Sequence, residues 1–62
     1  MTNHDKALKA KEIIGNKPLI EINNYILNDA YYLIYGERLK RFCLSSRMNA
    51  HYMILKFIKA HG

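Results

Sequence analysis

Cysteine occurs once in the chain, at Cys43, which excludes an intrachain disulfide and fits a reducing compartment better than a secreted one. The three histidines, His4, His51 and His61, share no metal-ligand spacing with Cys43 or with one another. No apolar run is long: the longest, Ala30 to Tyr35, falls far short of the roughly 20 residues a membrane-spanning helix needs. The N-terminal lysines are followed by no continuous apolar stretch, so no secretory signal is expected, and no N-x-Ser/Thr acceptor is present. At 62 residues there is no room for two domains or for a nucleotide-binding α/β sheet, so one domain, 1–62, is expected. No cofactor is implied and no enzyme is expected, because no catalytic constellation is visible. Asp29 and Glu37 are expected on exposed turns of one helix and form no acid–base pair.

Acidic residues are also scarce, five against ten Lys and Arg, and the formal charge is +5. The excess is unevenly placed. Residues 18–36 carry Glu21 and Asp29 with no cation, whereas residues 37–47 carry Arg38, Lys40, Arg41 and Arg47 against Glu37 alone. The basic character therefore lies at the two flanks of an apolar, slightly acidic middle. Such a balance permits nucleic-acid binding without establishing it.

What is present is helical periodicity. Thr2 or Asn3 can cap a first helix over about residues 3–15, with Ala7, Ala10 and Ile14 at helical spacing and Gly15 as its stop. Pro18 suits the first turn of a second helix, and Leu19, Ile22, Ile26, Ala30 and Leu33 step by three and four, with Ile20, Leu27 and Ile34 alongside. Gly36 could end that helix. Because Leu39, Phe42 and Cys43 continue the spacing, the pattern favours one helix over about 18–44, bent at Gly36. A β-hairpin of 31–35 with 38–44 is the competing reading, weakened by poor alternation. Ser45 or Ser46 can cap a third helix whose inner stripe is Ala50, Ile54, Phe57 and Ile58. Met48, Tyr52 and Leu55 flank that stripe, and Met48 and Met53 read as core fillers.

Two groups of residues are candidates for function. Tyr25, Tyr31, Tyr32 and Tyr35 cannot all point into one small core from one helix, so some are expected at a partner-binding or oligomer surface, where tyrosine brings large area with a polar tip. Arg38, Lys40, Arg41 and Arg47 are the candidate contact for nucleic acid or an acidic partner; the plain alternative is a solvated helix surface. The sharper version of the nucleic-acid reading is a helix-turn-helix with 44–46 as the turn and Arg47, Asn49, His51 and Tyr52 facing the major groove, but the turn lacks its usual glycine. Cys43 has Lys40 and Arg41 nearby, yet no base is placed beside it, and a buried, inert thiol is expected.

Three segments, Lys6–Asn16 (KALKAKEIIGN), Pro18–Tyr35 (PLIEINNYILNDAYYLIY) and Arg38–Ser46 (RLKRFCLSS), give the chain a resemblance to small, basic, mostly helical early-region proteins of lambda-like temperate phages, the group encoded between the exonuclease and excisionase genes. The resemblance implies a non-enzymatic accessory factor influencing phage development or host physiology, and it supplies no functional residues.

The expected fold is all-α: a helical hairpin in which helices two and three are antiparallel, with a short N-terminal helix over part of their groove. The expected core is Leu19, Ile22, Ile26, Ala30, Leu33, Ile34, Phe42, Ala50, Ile54, Phe57 and Ile58. A domain of this size buries only about 60% of its unfolded surface and usually needs a staple. With disulfide and metal excluded, association is the remaining one, and a homodimer through the Tyr and Ile residues of helix two is expected. The expected function is a regulatory or adaptor protein in the cytoplasm, that of the host cell if phage-encoded. It would bind a host or phage protein and no membrane, with a nucleic-acid-binding module as the alternative.

Overall fold

The computed structural model describes residues 1–62 and is all-helical, with no strand. Helix α1 runs Asn3–Ile14, a 3-10 turn covers Leu19–Glu21, α2 runs Asn24–Tyr35 and α3 runs Leu44–His61. The competing β-hairpin is absent.

Helix α1 begins where expected. Thr2 Oγ1 accepts from the Asp5 main-chain N–H at 3.1 Å and the Thr2 N–H donates back to the Asp5 carboxylate at 3.3 Å, a reciprocal capping box. The Thr2 main-chain N–H, followed by its hydroxyl, holds the Asp5 carboxyl below its ordinary range. Gly15, at φ 59°, closes the helix.

The second segment departs from expectation. It is not one helix over 18–44. Pro18 opens only a 3-10 turn, and α2 starts after Asn23, whose Oδ1 accepts from the Ile26 N–H at 2.9 Å. Asparagine is among the strongest N-caps because its side chain supplies an acceptor to the otherwise orphaned N–H groups of the first turn. At the other end Gly36 adopts the left-handed conformation, φ 70° and ψ 14°, and its N–H bonds to the Tyr32 carbonyl. Gly36 therefore stops the helix and does not bend it. The apolar residues beyond it belong to a loop, residues 37–43. There the Leu39 N–H donates to the Asn28 side-chain oxygen at 2.8 Å, so the loop folds back along α2. Phe42, expected in the core, is 39% exposed in this loop.

This return path changes the topology. Contacts between the second and third segments pair in ascending order: Ile22 with Arg47, then Tyr35 with Met53 and Phe57. Antiparallel neighbours would pair in descending order, so α2 and α3 do not form the expected hairpin. Instead α1 contacts both, and the first residues of α1 meet the end of α3, where His4 Nδ1 lies 2.8 Å from the His61 carbonyl oxygen.

Nine residues are buried: Ala7, Ala10, Ile14, Ile22, Leu27, Ala30, Ile34, Ala50 and Ile54. Five of them were in the expected set. Leu19, Ile26, Leu33, Phe57 and Ile58 are only partly buried and pack around the rim. The additional core residues come mainly from α1, whose alanines let the other helices approach its axis closely. On α2 the innermost line is Leu27, Ala30 and Ile34. Cys43 precedes α3 as its N-cap without a side-chain capping bond, where Ser45 or Ser46 had been expected, and both serines lie inside the helix.

Candidate binding surface

The four candidate tyrosines divide into two pairs. Tyr31 and Tyr35 belong to an aromatic ladder tying α2 to α3. Their ring centroids are 4.9 Å apart, Tyr35 meets Phe57 edge-on at 6.1 Å, and Phe57 meets His61 at 4.5 Å. The Tyr35 hydroxyl donates to the Met53 carbonyl at 3.0 Å, and burial raises its pKa, with Tyr31 adding to the rise. These two residues tie α2 to α3, and Tyr35 is still 37% exposed. Tyr25 and Tyr32, seven residues apart and so on one face of α2, remain exposed, Tyr25 at 85%. The Arg38 guanidinium lies 5.2 Å from the Tyr32 ring centroid, in cation–π range.

The basic cluster divides too. Arg47 is not a free cation: its guanidinium donates to the main-chain carbonyls of Leu19, at 3.2 Å, and of Ile22, fastening the first turns of α3 to the 3-10 turn. Its Nε is buried without a partner. Arg38, Lys40 and Arg41 stay exposed and share an open hollow of about 360 Å³ with Tyr31, Ser46 and Asn49, and with the opposing Glu37.

The helix-turn-helix geometry is not formed. The connection between α2 and α3 spans residues 36–43, longer than the 3–4-residue turn of that motif. Of the expected base readers, Arg47 is engaged with the main chain. His51 is partly buried, and that burial lowers its pKa.

Cys43 is exposed, contrary to the expectation of a buried thiol. The Ser45 and Ser46 hydroxyls lie 3.4 and 3.2 Å from its sulfur and lower its pKa from the ordinary 9.0 to about 7. No base adjoins it, and no group of three or more His, Cys, Asp or Glu could hold a metal ion.

An apolar row on α3 combines Leu44, expected at the end of the second helix, with Met48, Tyr52 and Leu55, expected beside the inner stripe of the third. Leu44, Met48, Tyr52 and Leu55 are exposed by 69, 56, 63 and 45%. At 100° per residue all four fall within an arc of about 80°, on the side of α3 opposite Ala50 and Ile54. The signal was available: α3 carries more apolar residues than one inner stripe can hold, and only the side containing Ala50 and Ile54 meets α1 and α2. Two open hollows border the ridge made by Tyr52 and Lys56. One, of about 310 Å³, is floored by Met53, Phe57 and Ala60, and the other, of about 290 Å³, lies between Leu55 and Lys59.

Comparison with protein-family models, curated proteins and solved structures finds no match to the chain. No helix is long and apolar enough to cross a membrane.

Proposed function

We propose that the protein is a small, non-enzymatic regulatory or adaptor protein that acts by binding another protein, with the outer face of α3 as its principal contact. The observation that carries this reading is the exposed row Leu44, Met48, Tyr52 and Leu55. Scattered apolar residues are ordinary on protein surfaces, whereas a contiguous apolar strip marks an interaction site. The resemblance to early-region proteins of lambda-like phages supports placing this role in phage development, in the host cytoplasm.

The test is capture of partners from nuclease-treated lysate by the native chain and by a Met48→Asp/Tyr52→Asp variant. The native chain should retain a protein that the variant loses. Since both positions are exposed, the variant should keep the native circular dichroism. Retention by both proteins, or by neither, would remove the reading.

One observation supports a second reading, nucleic-acid binding: Arg38, Lys40 and Arg41 surround the hollow that Tyr31, Ser46 and Asn49 share. If these three cations contact phosphates, log K should fall against log salt with a slope of at most about −3. Reversing the three charges should then abolish gel-shift binding.

A further inference from the structure

We infer that the outer face of α3 receives an acidic amphipathic helix of the partner protein. This inference rests on the protein-binding reading above and adds the chemistry of the occupant.

The shape of the face suits a helix. The row from Leu44 to Leu55 extends about 16 Å along α3, three turns of a helix laid beside it. Its spacing, residues 44, 48, 52 and 55, is that of a packing seam between helices, and the hollows on either side of Tyr52 and Lys56 offer holes for a partner's apolar side chains.

The charges around the row decide the sign of the partner. Helix α3 contains no Asp or Glu, and all five acidic residues of the chain lie before it. Lys59 falls within the same arc as the apolar row and Lys56 lies at its edge, so cations border one end. At the other end the first turn of α3 carries no acidic residue, so nothing there offsets the positive N-terminal end of the helix dipole. A second copy of α3 is therefore a poor occupant. In parallel it would set Lys56 and Lys59 against themselves, and in antiparallel it would bring them to the positive N-terminal end of the facing helix, which carries no carboxylate. A helix with Leu-type residues at i, i+4, i+8 and i+11 and with Asp or Glu beside them would match both the row and its rim.

Two capped synthetic peptides test the assignment. They carry the same leucine row and differ only in flanking Glu or Lys, and each is titrated into the full ¹⁵N-labelled chain. The Glu peptide should bind at least about tenfold more tightly than the Lys peptide, with amide shifts concentrated on α3. Lys56→Glu/Lys59→Glu should reverse that preference, and Met48→Ser should weaken both peptides. Equal binding of the two peptides, no binding by either, or shifts confined to α2 would overturn the inference. So would self-association that Met48→Ser abolishes, because the occupant would then be a second copy. Lysate capture that depends on Met48 and Tyr52, without peptide discrimination, would overturn the acidic helix while leaving the protein-binding reading intact. Loss of that dependence would overturn both.

Discussion

The Arg47 guanidinium supplies hydrogen bonds to the carbonyls of Leu19 and Ile22, in a partly buried position where water replaces them poorly. Arg47→Ala should destabilise the fold by about 1–3 kcal/mol, whereas single alanine substitutions at the exposed Arg38, Lys40 and Arg41 should each change it by less than about 0.5 kcal/mol. Urea denaturation of the four variants checks this; equal effects at all four positions would mean that Arg47 is a surface cation after all. The sequence grouped these four residues because they are close along the chain. It could not tell which of them would meet a free carbonyl, since that depends on where the 3-10 turn lies against α3. Cys43 gives a second expectation at this scale. Hydroxyl hydrogen bonds from Ser45 and Ser46 favour its thiolate, so its alkylation rate should rise with a midpoint near pH 7, and Ser45→Ala/Ser46→Ala should move the midpoint upward. The linkage has a definite sign. The folded thiol titrates below its ordinary value, so the contribution to stability is complete above pH 9.0 and vanishes as pH falls through about 7. An alkylation midpoint left near 9 would exclude these hydrogen bonds.

At the scale of the elements, caps decided what periodicity could not. Apolar residues from Leu19 to Phe42 keep helical spacing, yet Asn23 and Gly36 cut that stretch into a 3-10 turn, α2 and a loop. Periodicity reports which residues share a face if a helix exists. The helix ends are fixed by one or two local hydrogen bonds, here Asn23 Oδ1 to the Ile26 N–H and the Gly36 N–H to Tyr32 O. The three-helix content and the limits of α1 were legible because Thr2, Asp5 and Gly15 carry unambiguous capping chemistry. The path of the loop was not, because it depends on Asn28 holding the Leu39 N–H. Gly36→Ala tests the αL stop directly. In a continuous helix the substitution would stabilise by about 1 kcal/mol, whereas at φ 70° it should destabilise by about 1–2 kcal/mol. A Cβ there would meet no atom within 4 Å, so the cost is purely conformational and the sign of the change in the unfolding midpoint decides between the two structures.

For the molecule as a whole, compactness and exposure point the same way. The radius of gyration, 10.5 Å, equals the roughly 10.6 Å of a compact chain of this length, so the fold closes on its own core. Closing that core buries nine residues and still leaves Leu44, Met48, Tyr52 and Leu55 outside on α3, and Tyr25 and Tyr32 outside on α2. The two faces differ in charge. The α3 face is bordered by cations, whereas the Tyr25–Tyr32 face holds Asp29 and the Arg38 guanidinium over Tyr32, opposite charges that a two-fold pairing could bring together. A homodimer through the α2 face is thus compatible with a partner on α3. Association of folded chains stabilises the folded state by mass action, so the thermal midpoint should rise by a few degrees for each tenfold increase in protein concentration. Sedimentation equilibrium should show the dimer at high micromolar concentration. Tyr25→Asp/Tyr32→Asp should return the chain to monomer and remove the concentration dependence, while Met48→Ser should leave both unchanged. A monomer at high micromolar concentration with a concentration-independent midpoint would remove the dimer, leaving the α3 face as the remaining proposed contact.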